Sequence, residues 1–332
     1  MYQVAIVGAS GLVGREMIRI LEERKFPVEK LYPLTTQRSC GQSVKFRGEE
    51  IAFLPVEKTG YQGIDLALFA GGEIASSAYV PQALKDGALV IDNSSYFRMG
   101  EEIPLIVPEV NPQALQNHSG LIANPNCCAI PLVLTLKPLA DEFGLTKVVV
   151  TTYQSVSGSG KAAIRELTDQ VKNWANRQPL EYLVYPHQIA FNLFAEIGPL
   201  KDDGYFDEEE KVMEETRKIL AMPNLSITAT CVRVPVIVGH SLAVYLETEK
   251  PVTPEAAKAL LGKAGGVKLE DFPTPLKAEG KNEVLIGRIR KAGDNPRALA
   301  YFCSSDNLRL GAALNAVKIA EKVLLKSPEY IG

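Results

Sequence analysis

Val4-Ala5-Ile6-Val7-Gly8-Ala9-Ser10-Gly11-Leu12-Val13-Gly14 is the stretch whose reading decides the fold. Val4 to Val7 form an unbroken apolar run, which is what a parallel strand buried on both faces requires. Three glycines follow, and then Val13, Met17, Ile20 and Leu21 fall on one face of a helix. Strand, glycine turn and helix in that order are the setting of a dinucleotide-binding fingerprint. The glycines let the backbone approach a pyrophosphate at a helix N-terminus. Gly8, Ala9, Ser10, Gly11, Leu12, Val13 and Gly14 are therefore expected to line a cofactor. Their Gly-x-x-Gly-x-x-Gly spacing departs from the commonest form, and a tight turn without a ligand would need the same residues.

The next strand, near Leu31 to Leu34, bears on the choice of cofactor. An acidic side chain near its end would hold the ribose hydroxyls of NAD. Thr35-Thr36-Gln37-Arg38-Ser39 stands there instead. A cation and hydroxyls suit a 2′-phosphate, so Thr36, Arg38 and Ser39 point to NADP. Strand patterns recur at 65–69 and 88–91, with a helix near 75–84 between them. This alternation predicts a doubly wound parallel sheet. Gly71-Gly72 and Asn93-Ser94-Ser95 follow strand ends, where such sheets bind ligands. Arg98 comes directly after, and a guanidinium there can grip a phosphate or carboxylate in bidentate fashion.

Ala123-Asn124-Pro125-Asn126-Cys127-Cys128-Ala129-Ile130-Pro131 places a turn, a thiol and an apolar run in succession. Asn126 suits a helix cap and Pro131 a first helical turn. Cys127 would then sit where unpaired amides and the macrodipole favour a thiolate, the nucleophilic form. As small core fillers, two adjacent cysteines would need no chemistry at all.

The bulk composition narrows the function classes. The chain has 332 residues, 46% hydrophobic and 23% charged, with a net charge of -3, so nucleic acid is not expected as a main partner. Five cysteines, without metal-ligand spacing, suit reduced thiols in a cytoplasmic protein, and no metal site is expected. A strand pattern almost directly after Met1 leaves no room for a signal peptide.

After the cysteine helix the pattern changes. A strand over 147–155 leads into Tyr153-Gln154-Ser155-Val156-Ser157-Gly158, and a helix follows over 162–174. An acidic helix is expected over 202–215 with Lys211 embedded, and long strands over 226–236 and 241–248. A helix over 254–261 and strands over 284–290 and 298–303 complete an α+β half with a mostly antiparallel sheet. Arg233 and His240 flank one strand end. The last helix, about 310–325, is expected to pack back on the first domain. The expected division is 1–126 with 308–332 as the NADP-binding domain and 127–307 as the catalytic and dimerisation domain. No Pro/Gly-rich linker separates the halves, so the active site is expected at their boundary.

Together, the Gly8–Gly14 turn, Asp92-Asn93-Ser94-Ser95-Tyr96-Phe97-Arg98, Asn124-Pro125-Asn126-Cys127, Tyr153–Gly158, the Cys231–His240 segment and Gly287-Arg288-Ile289-Arg290-Lys291 resemble bacterial aspartate-β-semialdehyde dehydrogenases. The resemblance covers essentially the whole chain. It implies reductive dephosphorylation of aspartyl phosphate to the semialdehyde with NADPH, in lysine, threonine and methionine biosynthesis. It also implies a cytoplasmic homodimer or homotetramer. By this resemblance Cys127 is the nucleophile, Gln154 orients the substrate and His240 is the acid/base. Arg233 binds the α-carboxylate, Arg98 and Lys211 hold the phosphate, Glu208 meets the amine, and Asn126 also touches substrate. Gly71, Ser157, Gly158 and Asn307 join the cofactor set. Cys128 departs from the family's usual Ser or Thr. N-Acetyl-γ-glutamyl-phosphate reductases share the chemistry, but their cysteine lies in a different local sequence. A non-catalytic NADP-binding paralogue would lack the thiol, the Gln or the His. The Ser-Cys-Thr-Thr-Asn context of glyceraldehyde-3-phosphate dehydrogenases is absent.

Overall fold

The computed structural model describes residues 1–325 and divides into two compact units. The first comprises Met1–Asn126 with the chain from Ala312 onward, and the second Cys127–Gly311. In the first unit β1 (Tyr2–Val7), α1 (Leu12–Glu23) and β2 (Val28–Thr35) follow the expected order. A hairpin of β3 (Ser43–Phe46) and β4 (Glu49–Ala52) and a short β5 (Leu54–Pro55) come next. The hairpin has too few residues per strand to announce itself by period. Then come β6 (Leu66–Phe69), α2 (Glu73–Lys85), β7 (Leu89–Asp92) and β8 (Leu121–Ala123).

These strands form a wholly parallel sheet in the order β5-β2-β1-β6-β7-β8. The order reverses direction beside β1, which is the switch point where such sheets bind dinucleotides. Val4–Val7 and Leu66–Phe69 are buried along their whole length, as a sheet covered on both faces demands. The helix Asn315–Leu324 packs on α1 and β7, and Arg24 clamps Glu321 with two hydrogen bonds of 2.7 Å. Its start is later than expected: Arg309–Leu314 forms a π-turn first.

The second unit opens with α3 (Ala129–Phe143), followed by β9 (Leu145–Gln154), α4 (Lys161–Ala175), α5 (Asp207–Leu220), β10 (Ser226–Arg233) and β11 (His240–Thr248). After α6 (Pro254–Leu261), β12 (Val267–Leu269) and α7 (Pro275–Ala278), the strands β13 (Val284–Lys291) and β14 (Ala298–Ser305) close it. The sheet runs β10-β9-β11-β14-β13-β12. Its three inner pairings are antiparallel and the two outer ones, β10/β9 and β12/β13, parallel. α3 is buried around most of its circumference and packs against α5, α6, β11, β13 and β14. Its one interior hydroxyl, on Thr135, meets the Tyr301 hydroxyl at 2.8 Å.

Three expected boundaries move, each for a local reason. The acidic helix starts at Asp207 rather than residue 202, because Gly204 turns the chain at φ +86° and the Glu209 carboxylate caps the Phe206 amide at 2.8 Å. β10 stops at Arg233 because Pro235 lacks the N–H a longer strand would need. α3 begins at Ala129 with Cys128 as its cap position, so Asn126 is not the cap and Cys127 precedes the helix by two residues.

The turn after β1 tolerates no extra atoms. A Cβ on Gly14 would lie 2.4 Å from the Gly8 carbonyl oxygen and 2.8 Å from Ala9 Cα. Gly14→Ala is expected to destabilise the protein by about 1–3 kcal/mol, the usual cost of overpacking. An unchanged urea midpoint would contradict this packing.

Candidate active site

The second unit's sheet brings three expected site residues to one edge. β9 and β10 run parallel with Gln154 paired to Arg233, so both strands end together. β11 runs the other way, with Ser241 opposite Tyr153, so its first residue, His240, starts at that same edge.

His240 is wholly buried, and its ring is fixed from one side. Nδ1 accepts a hydrogen bond from the Ser155 backbone N–H at 3.0 Å, with the Ser155 hydroxyl 3.1 Å away. Nε2 is buried without a hydrogen-bond partner among the described residues. The Cys127 and Cys128 sulfurs and a His240 ring nitrogen all lie within 4.8 Å of one another. The two thiols differ in setting. Cys127 is partly exposed, whereas Cys128 is fully buried. Burial first, then the hydrogen bond to Cys127, pushes the Cys128 thiol well above the ordinary range and keeps it protonated.

Arg233 is 4% exposed and makes no ion pair among the described residues. Its Nη1 donates to the Ser155 carbonyl at 2.6 Å, its guanidinium lies 5.7 Å from the Tyr185 ring centroid, and its Nε has no hydrogen-bond partner among the described residues. An uncompensated buried cation is costly, so this edge is built for an anion. Gly158 keeps the approach open: a Cβ there would stand 3.3 Å from both Arg233 Nη1 and His240 Nε2.

Gln154 accepts from the Thr152 hydroxyl at 2.9 Å and donates to a Glu208 carboxylate oxygen at 3.1 Å. Glu208 is thereby placed at the same edge from the first turn of α5. Lys211, one turn on, pairs with Asp207 at 2.6 Å. Asn307 lies behind His240: its Oδ1 accepts from the Gly239 N–H at 2.8 Å and from the Ser155 and Ser157 hydroxyls at 3.2 and 3.1 Å. It is buried and braced by Ser157, so both residues belong to the scaffold of the site.

In the first unit the glycine turn is a backbone cradle. Gly8 has φ +84°, and a Cβ on it would come within 2.6 Å of the Ala70 backbone. Its N–H and that of Ala9 donate to Leu34, and Gly11 caps α1 with no side chain over the helix N-terminus. Gly71 is equally confined, 2.7 Å from Ala75 Cβ for an added methyl. Ser10 bonds to Thr35 at 2.7 Å, while Arg38 stands exposed beside Thr36 and Ser39 and makes no ion pair among the described residues. Arg98 donates to the backbone oxygens of Asn124 at 2.9 Å and Asn93 at 2.7 Å. Asn126 is buried at the end of this unit.

Several residues of the site take parts that their place in a sequence motif does not show. Ser155 acts mainly through its backbone, which no side-chain pattern reveals. Asn124 and Asn315 form a buried amide pair, Asn315 donating to the Asn124 carbonyl oxygen at 2.7 Å, across 191 positions of chain. Gly311 sits where a Cβ would be 3.0 Å from Cys127 Cβ, at the π-turn that such sites often carry.

A parallel sheet of this order with a phosphate-cradling turn, followed by a second α+β unit, defines a nicotinamide-dependent dehydrogenase. Residues 3–118 match the family model of the semialdehyde dehydrogenase NAD-binding domain, and residues 136–310 that of the semialdehyde dehydrogenase dimerisation domain. The aspartate-semialdehyde dehydrogenase of Aquifex aeolicus is 46% identical over 330 residues, covering 96% of this chain and 97% of that protein. That of Bacillus subtilis is 44% identical over 334 residues, covering 96% of each. The crystal structure of aspartate semialdehyde dehydrogenase II complexed with ASA from Vibrio cholerae superposes with a TM-score of 0.96 at 42% identity, covering 98% of both chains. The chain belongs to the aspartate-semialdehyde dehydrogenase family.

The exposure difference between the two thiols is directly measurable. Iodoacetamide at neutral pH is expected to alkylate Cys127 and spare Cys128, read by peptide mass. Earlier labelling of Cys128 would contradict the burial described here.

Proposed function

We propose that this chain catalyses the reversible, NADP-dependent conversion of L-aspartyl 4-phosphate to L-aspartate 4-semialdehyde through a thioester on Cys127. The observation that carries the reading is the buried, unneutralised Arg233 guanidinium beside His240 and the partly exposed Cys127 in the second unit. The family membership supplies the substrate class. The first unit is read as the NADP-binding domain. The second is read as the catalytic domain and, with its match to a dimerisation domain, as the contact of a homodimer or homotetramer. A cytoplasmic biosynthetic enzyme fits this chemistry.

The glycine cradle, the uncapped N-terminus of α1 and the absence of an acidic side chain at Thr35-Thr36 fit a dinucleotide with a 2′-phosphate. Gly8 to Gly14, with Gly71, would hold the pyrophosphate and its surroundings, and Thr36, Arg38 and Ser39 the 2′-phosphate. When bound, NADP supplies the hydride chemistry. Gly158, next to Arg233 and His240, would flank the nicotinamide, with the buried Ser157 and Asn307 bracing that part of the cofactor site from behind.

Arg233 binds the substrate α-carboxylate, because its Nη and Nε donors are otherwise spent on one carbonyl only. Glu208, held by Gln154, receives the α-ammonium. Arg98 and Lys211 serve the phosphate, and Asn126 lies beside the nucleophile in the chain. Cys127 attacks the carbonyl carbon, and the covalent thioester splits one difficult transfer into two easier ones. His240 stands at the reacting oxygen.

The direct test is phosphate-dependent formation of NADPH from aspartate semialdehyde by the purified protein. No turnover, or turnover independent of phosphate, would end this reading. Cys127→Ser is expected to lose turnover by about 10⁴-fold or more, as removal of a covalent nucleophile does, while NADP still binds. Cys128→Ser is expected to keep most of the activity. Arg38→Ala is expected to raise the KM for NADP roughly tenfold, the worth of one charge-assisted hydrogen bond, and to leave that for NAD little changed. Equal effects on the two cofactors would remove the 2′-phosphate role from Arg38.

A further inference from the structure

Cys127 and Cys128 are neighbours in sequence and remain neighbours in space. Their sulfurs lie within 4.8 Å of each other. A hydrogen bond aims the Cys128 S–H at the Cys127 sulfur, and burial keeps that proton in place. Only one of the two thiols meets solvent, since Cys127 is partly exposed and Cys128 fully buried. A cysteine set to act as a nucleophile is also the one that a peroxide oxidises first, because both reactions need a thiolate and access. The first product, a sulfenic acid, returns to thiol only while a second thiol can reach it. Further oxidation to sulfinic or sulfonic acid is in general permanent. Here the second thiol needs no movement of one element past another, because it is the next residue. Cys231 and Cys303, by contrast, are buried within the sheet strands β10 and β14.

We propose that Cys127 and Cys128 form a peroxide-responsive vicinal dithiol, in which Cys128 is the resolving thiol that converts an oxidised Cys127 into a reducible disulfide. The inference rests on the functional reading above for the loss of activity that accompanies oxidation, and on the two sulfurs alone for the chemistry.

The oxidant is a hydroperoxide. The Cys127 thiolate sulfur attacks a peroxide oxygen, and the S–O bond forms as the O–O bond breaks. An electron pair passes from sulfur to the peroxide, whose departing oxygen takes a proton from solvent. The Cys128 sulfur next attacks the Cys127 sulfur, and the S–S bond forms as the S–O bond breaks. The Cys128 proton, already directed at Cys127, leaves with the hydroxyl group as water. The peptide bond between the two residues is trans, which sets their Cα atoms about 3.8 Å apart. Disulfides ordinarily span Cα separations of roughly 4.4–6.8 Å. A bond closed at the shorter spacing is under strain, and strained disulfides are the readily reduced ones. It therefore acts as a temporary cap on the nucleophile, removable by a dithiol reductant, and not as a structural staple.

Treatment of the purified enzyme with hydrogen peroxide, followed by peptide mass measurement and assay, tests the pair. In the wild type the peptide bearing both cysteines is expected to lose one hydrogen from each sulfur and to regain both with dithiothreitol. Turnover is expected to fall and return in step with that mass. Cys128→Ser is expected to keep most of its activity before treatment and to lose it irreversibly afterwards, with Cys127 found as the sulfinic or sulfonic acid. A wild-type peptide that gains oxygen atoms in place of a disulfide overturns the proposal, and so does a cross-link from Cys127 to Cys231. Equal recovery of the wild type and Cys128→Ser in dithiothreitol would take the resolving role away from Cys128. A protein inactive on aspartate semialdehyde from the outset would remove the functional reading, while the peptide masses would still decide the chemistry of the two thiols.

Discussion

The backbone of Ser155 is the constraint on which the second unit's chemistry depends. Its carbonyl accepts from Arg233 at 2.6 Å and its N–H donates to His240 at 3.0 Å. One residue, just past the end of β9, thus holds both the buried Arg233 guanidinium and the His240 imidazole. The next amide is tied down as well, since Val156 N–H donates to Val236 at 2.9 Å and Ser157 N–H to Ile237 at 3.1 Å. Backbone held this way does not need to reorganise when charge develops, which is the condition under which such groups lower a barrier most.

The price of that arrangement is visible in the same place. Arg233 Nε and His240 Nε2 are both buried and, among the described residues, have no hydrogen-bond partner. Ordinary cores leave few such groups, because each costs on the order of 1–3 kcal/mol. Two of them at one sheet edge, with Arg233 Nη1 and His240 Nε2 each 3.3 Å from the point where a Gly158 Cβ would stand, describe a polar socket rather than a packing fault. α3 supplies the opposite kind of support: an apolar cylinder buried against two helices and three strands, which fixes the chain that carries Cys127 and Cys128.

How legible this was in the sequence varies by the kind of group that does the work. The glycine turn was readable because Gly8, Gly11 and Gly14 are a local pattern with a steric reason: an added Cβ would stand 2.6 Å from the Ala70 backbone at Gly8, 3.1 Å from the Gly8 oxygen at Gly11 and 2.4 Å from that oxygen at Gly14. The parallel sheet was readable because Val4–Val7 and Leu66–Phe69 are buried on both faces and therefore apolar throughout. Gln154, Arg233 and His240 were readable as motif members, but their meeting at one sheet edge follows from register, which the sequence does not display. Boundaries failed where one side chain overrides a trend. Glu209 caps Phe206 and starts α5 late, and Pro235 ends β10 early. Ser155 was invisible as a functional residue because its N–H and C=O are those of any residue.

The central claim is that substrate becomes covalently attached to the Cys127 sulfur. Intact-mass and peptide mass measurement of the enzyme, mixed with aspartate semialdehyde and NADP in the absence of phosphate, tests it most directly. An aspartyl thioester on the peptide bearing Cys127, discharged when phosphate is added, is the predicted result. A protein of unchanged mass under those conditions, or an adduct carried by Cys128, would contradict the account.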